Sequence, residues 1–104
     1  MTEKRVALVT GANKGIGLEV ARQLAQAGVH VILGARDTQR GRSAVQGLKA
    51  QGLAVSAVAL DLHSQPSITA AAAAIGSEHG RLDILVNNAG VFEPSDGPPG
   101  KASL

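Results

Sequence analysis

The residues best suited to chemistry in this 104-residue chain are the three glycines of T-G-A-N-K-G-I-G, residues 10–17. An apolar run at 6–9 precedes them, and a helix-like stretch at 18–27 follows. Strand, glycine-rich turn and helix N-terminus in that order form a phosphate cradle, where backbone N–H groups and the helix dipole face an anion. Gly11 permits the tight turn. Gly15 lets the backbone approach a pyrophosphate with no Cβ in the way, and Gly17 lets the helix pack close to the strand. Glycines also serve ordinary turns and caps. The spacing here, G-x-x-x-G-x-G, differs from the general G-x-G-x-x-G fingerprint. The strand before, the helix after and a second strand soon following favour a dinucleotide.

Other groups are less self-explanatory. Lys14 stands in the turn, and Arg36 follows the second apolar run. Two such cations suit a phosphate, which Arg binds bidentately; the alternative is ordinary solvated charge. Asp37 beside Arg36 reads as a helix cap. Asp61 ends the third apolar run, where it either caps a helix or accepts a hydrogen bond from a ligand. Asn87 to Gly90 follow the fourth run, and Asn and Gly are also common in strand-ending turns. His30, His63 and His79 lack ligand spacing, and there is no Cys. No metal site, disulfide or thiolate centre is therefore expected. His63 reads as a loop residue, and His30 as lying near an edge or turn.

The elements that must position these residues alternate. Strands are expected at 6–9, 29–33, 55–60 and 82–86, the last interrupted by Asp83. The first helix carries Ile16, Val20, Leu24 and Ala27 at helical spacing and ends at Gly28. The second is capped by Asp37 or Thr38, turns Ala44, Val45 and Leu48 inward, and ends at Gly52. The third is capped by Ser64, tolerates Pro66 in its first turn, and aligns Ile68, Ala72 and Ile75. Its alanine run at 70–74 reads as close helix–sheet packing. Continuous apolar strands alternating with helices imply a parallel sheet covered on both faces. After Gly90 a Pro- and Gly-rich loop at 93–101 leads to Ser103 and Leu104, which resemble the start of a further helix.

Composition narrows the class. The hydrophobic fraction is 44%, but the aromatic fraction is 1%, with Phe92 the single aromatic residue. The core must be aliphatic. The net charge of +2 is dispersed, which disfavours a nucleic-acid patch, and no aromatic platform exists for single strands. The N-terminus lacks the features of a signal peptide, and no apolar stretch is long enough to span a bilayer. A soluble, cytoplasmic protein is expected, with neither membrane nor nucleic acid as a partner.

Taken together, T-G-A-N-K-G-I-G, Asp61-Leu62 and Asn87-Asn88-Ala89-Gly90 resemble the short-chain dehydrogenase/reductase family. The marks occur in the family's order and spacing across the chain. The wording of the first, G-A-R-D at 34–37 and D-G-P-P at 96–99 are most similar to carbonyl-reductase-type members. The resemblance implies an α/β, Rossmann-type doubly wound sheet, here partial, with four strands in order 3-2-1-4 and three crossover helices. It implies a single NAD(P)-binding unit over 1–104.

The same resemblance implies cofactor contacts from Gly11, Asn13, Lys14, Gly15, Ile16 and Gly17. Asp61 and Leu62 would recognise adenine. Asn87 would tie the fourth strand to its neighbours, and Asn88, Ala89 and Gly90 would line the cofactor near its riboses. Ala35 stands where NAD-dependent members carry an acid. With Arg36 and Lys14, this implies NADP(H) rather than NAD(H).

Family members move hydride between the nicotinamide and a carbonyl or alcohol carbon, with a Tyr transferring the proton. A Lys four residues on lowers that tyrosine's pKa, and a Ser holds the substrate oxygen. This sequence contains no Tyr, and those positions fall after Leu104. The chain is therefore expected to be inactive alone, as the cofactor-binding portion of a carbonyl reductase. A non-catalytic nucleotide-binding module and a fragment without function are the alternatives. A fourth strand left at the sheet edge would make the chain marginally stable or self-associating.

Overall fold

The computed structural model describes residues 4–11 and 15–88, which form seven elements. In chain order these are β1 (Val6–Thr10), α1 (Gly15–Gln26), β2 (His30–Ala35), α2 (Thr38–Lys49), β3 (Val55–Ala59), α3 (Gln65–His79) and β4 (Ile84–Val86). The strands make one parallel sheet in the order β3-β2-β1-β4. The chain steps outward from β1 through β2 to β3, then crosses back to lay β4 on the other side of β1. That reversal leaves a crevice at the carboxyl ends of β1 and β4.

Alternation along each strand divides the core into two layers. Val9, Val31, Leu33 and Val55 face α1 and α2, where Ala21, Ala25, Val45 and Leu48 meet them. Val6, Leu8, Ile32 and Leu60 face α3, which contributes Ala71 and Ile75. β1 is buried throughout, as a central strand covered on both faces must be.

Local signals set the helix limits. The Asp37 carboxylate accepts from the Gln39 and Arg40 N–H groups at 3.0 and 3.1 Å, so Asp37 is the cap of α2. The Ser64 hydroxyl accepts from the Ser67 N–H at 3.3 Å, with Pro66 in the first turn of α3. α1 closes with Val29 N–H on Leu24 O and Gly28 N–H on Ala25 O. α2 repeats the pattern with Leu53 on Leu48 and Gly52 on Lys49. α3 ends at Gly80 in the left-handed region.

Two helix faces differ from the sequence expectation. In α1 the buried residues are Gly17, Ala21 and Ala25, while Ile16 is 74% exposed. The helix lies so close to the sheet that small residues face it, and the larger ones flank the contact. In α3 Ala71, not Ala72, is buried with Ile75, and Ala70, Ala72 and Ala73 are exposed. Only part of the alanine run packs on the sheet.

Strand limits also move, most at β2 and β4. β2 extends through Gly34 and Ala35 because both pair with β1 or β3. β4 begins at Ile84 because Asp83 replaces part of the ladder with its side chain. The Val6 N–H donates to Asp83 Oδ2 at 2.8 Å, and the Asp83 N–H donates to Val6 O at 2.9 Å. Bonds from Arg81 and Val6 hold the Asp83 carboxyl below its ordinary pKa. The expected loop at 93–101, Phe92 and the helix start at Ser103 lie outside the described residues.

Candidate functional site

The carboxyl ends of all four strands are fastened to one another in series. At β4, the Asn88 amide Nδ2 donates to Gly11 O at 3.1 Å. At β1, the Gly11 N–H donates to Gly34 O of β2 at 2.9 Å. At β2, Ala35 O accepts from the Leu60 N–H at 3.0 Å, just past β3. The Asp61 N–H then donates to the Ser67 hydroxyl of α3 at 2.8 Å. Gly11, Arg36, Asp61 and Asn88, scattered over 78 sequence positions, thus share one rim of the sheet.

The switch-point crevice has its own lock. Thr10, 3% exposed, places its hydroxyl 3.2 Å from Asn87 Oδ1 and 3.4 Å from Val86 O. A hydroxyl has one hydrogen, so it donates to one of these acceptors at a time. Asn87 therefore does tie β4 to β1. Thr10 is the partner that the sequence motif contained without revealing its role.

Beside this lock, Gly11 and Gly15 have φ of 61° and 64°. Both angles lie in the left-handed region that glycine adopts without strain. A Cβ at Gly15 would meet no atom of the described residues within 4 Å. Gly17 is buried against the sheet. Asn13 and Lys14, and likewise Ala89 and Gly90, lie outside the described residues.

Charge on the rim is divided between neighbours. Asp37 is turned back into α2, and its Oδ2 lies 3.7 Å from Arg40 Nε. The helix N-terminus and Arg40 both compensate its negative charge. Arg36 is exposed and makes no ion pair or hydrogen bond among the described residues. Positive charge therefore predominates where β2 ends. Asp61 Oδ1 accepts from the His63 N–H at 2.9 Å, while Oδ2 accepts nothing among the described residues. His63 is thus a turn residue. Leu62 is exposed beside an apolar groove that also includes Leu60. No group of three or more His, Cys, Asp or Glu is placed to hold a metal among the described residues.

Sequence reasoning missed Ser67, which fixes the Asp61 backbone, and Gly34, where α3-side packing is tight. A Cβ at Gly34 would stand 3.0 Å from Leu60 Cδ2 and 3.4 Å from Leu8 Cδ1. The only sequence signal for Gly34 was a glycine just after an apolar run, which also describes an ordinary turn.

This fold and rim define a Rossmann-type doubly wound protein whose strand ends are organised around a glycine-rich turn. The chain belongs to the short-chain dehydrogenase family, which it matches over residues 5–102. It is 50% identical over 95 residues to carbonyl reductase [NADPH] 3 of Homo sapiens, covering 90% of this chain and 34% of that protein. Menthone neomenthol reductase from Mentha piperita superposes with a TM-score of 0.80 at 44% identity, over 84% of this chain and 32% of that one. An actinorhodin polyketide ketoreductase solved with NADPH gives 0.78 at 41% identity, over 82% and 33%. The chain spans about a third of the length of these relatives. Among the described residues, no helix is long and apolar enough to cross a membrane.

Proposed function

We propose that this chain is the NADP(H)-binding portion of a cytoplasmic, carbonyl-reductase-like oxidoreductase. The observation that carries the reading is the fastened rim, the shared carboxyl end of the sheet where Gly11, Arg36, Asp61 and Asn88 lie. The α1 N-terminus would receive the pyrophosphate, with Asn13, Ile16 and Gly17 shaping the turn around it. Arg36, with Lys14, would hold the 2′-phosphate. Asp61 Oδ2 and the Leu62 N–H would meet adenine, and Asn88, Ala89 and Gly90 would border the riboses. When bound, NADPH would supply a hydride for carbonyl reduction. The chain's own part is to bind and orient it. The named partners of the relatives, NADPH above all, support this choice.

The absence of any Tyr favours a second reading for the 104 residues taken alone. They would bind the nucleotide without turning a carbonyl over. They would also be free to associate through the β4 edge.

Titration calorimetry of the chain with NADPH and NADH tests the first reading. Arg36→Asp is expected to weaken NADPH by about 10- to 100-fold, the scale of a lost charge-assisted bond, and NADH far less. Equal weakening of both would remove the 2′-phosphate argument. Steady NADPH oxidation by the bare chain with a carbonyl substrate would refute the non-catalytic reading.

A further inference from the structure

His30 opens β2 and His79 closes α3. Strand alternation places His30 in the column of Ile32, on the face that α3 covers. α3 returns antiparallel to the strands, so its last turn arrives at their amino ends. There the two imidazole rings meet, with centroids 4.6 Å apart and planes inclined at 47°. His30 Nε2 lies 3.3 Å from Ser56 Oγ of β3. Both histidines are partly buried. The contact is at the end of the sheet opposite the fastened rim, so nothing in the nucleotide reading accounts for it.

The surroundings of the pair are rich in positive charge. Lys4 approaches from the segment before β1, and Lys49 from the end of α2. β3 offers only the neutral Ser56. Among the described residues, Glu78 on α3 supplies the one nearby carboxylate, 3.8 Å from His79 Nε2. Arg81 is engaged by Asp83.

We infer that His30 and His79 form an acid-sensitive clasp, in which the uncharged His30 ring holds the last turn of α3 against β2 and a charged His30 releases it. A charged His30 beside the His79 ring, with Lys4 and Lys49 close by, faces more repulsion than Glu78 offsets. The sign follows from His30. Burial, and then the charges of His79, Lys4 and Lys49, hold its pKa below the ordinary 6.5. The folded chain therefore favours neutral His30. Its contribution is complete above pH 6.5 and is lost as pH falls through the lower, folded-state pKa.

Thermal unfolding at pH 7.5 and pH 5 tests the clasp on the whole chain. The midpoint of the unmodified protein, and of a His63→Gln control, is expected to drop by about 5 °C at the lower pH. His79→Phe keeps a ring in place but cannot charge, so it should abolish most of that drop. A drop of the same size in His79→Phe would overturn the inference. Proton NMR of the imidazole Cε1–H signals provides a second readout, with His79→Gln as the milder variant. The His30 midpoint should lie below 6.5 and rise when His79 is replaced. A His30 midpoint that does not respond to His79→Gln would also overturn it.

Discussion

At the scale of single residues, Thr10 shows how a motif position can carry structure rather than chemistry. Its hydroxyl stands between β1 and the Asn87 side chain that follows β4, and it is almost wholly buried. Thr10→Val keeps the shape and removes the donor. It should cost about 0.5–1.5 kcal/mol, the net worth of the bond that ties Thr10 to the end of β4. A urea midpoint that falls while the slope stays constant would report this; an unchanged midpoint would show the lock to be idle. Asp37 makes a related point. Next to Arg36 it could have opposed a 2′-phosphate, but its carboxylate is committed to the N-terminus of α2. Sequence order placed acid and base side by side, and the cap separated their roles.

At the scale of elements, α2 contains two glycines with opposite duties. Gly41 is buried, and a Cβ there would stand 3.2 Å from Ala35 Cβ and 3.8 Å from Ala57 Cβ. Gly47 is exposed, with no described atom within 4 Å of such a Cβ. Gly47→Ala should stabilise the chain by about 0.5–1 kcal/mol through helix propensity alone. Gly41→Leu should destabilise it by about 1–3 kcal/mol, by forcing α2 off β2 and β3. Parallel denaturation curves for the two variants check both signs. Equal effects would mean that α2 does not depend on close approach. The periodicity of α2 could be read in advance, since Val45 and Leu48 are large and buried. That of α1 was misread, because its inward face is made of Gly17, Ala21 and Ala25, whose small size leaves little hydrophobic signal.

At the scale of the molecule, the sheet is asymmetric. β1 is sealed on both faces, whereas among the described residues β4 is an edge on which Leu85 is 60% exposed. Beside it an apolar groove of about 460 Å³ runs between α3 and β4, lined by Leu8, Leu60, Ile75, Leu82 and Leu85. An unpaired edge carrying an exposed leucine is a pairing template. Sedimentation of the chain at rising concentration is expected to show association. Leu85→Lys should reduce it by placing a charge on that edge, and association of the same strength in the variant would locate the contact elsewhere.

The sequence by itself determined the features that depend on near neighbours. These are the glycine turn between β1 and α1, the Asp37 and Ser64 caps, the glycine-rich ends of the helices, and the alternation that makes the sheet parallel. Each is settled within a few residues by backbone sterics and hydrogen bonding. Family membership was legible for the same reason, since its marks are short and contiguous. Tertiary structure alone decided which groups meet across the fold. Thr10 finds Asn87 and Asn88 finds Gly11, both 77 positions apart. Asp83 reaches Val6 over the same separation, and His30 meets His79 at the far end of the sheet. No local pattern encodes these pairs, because they arise only when the strand order brings distant ends to a common rim or base.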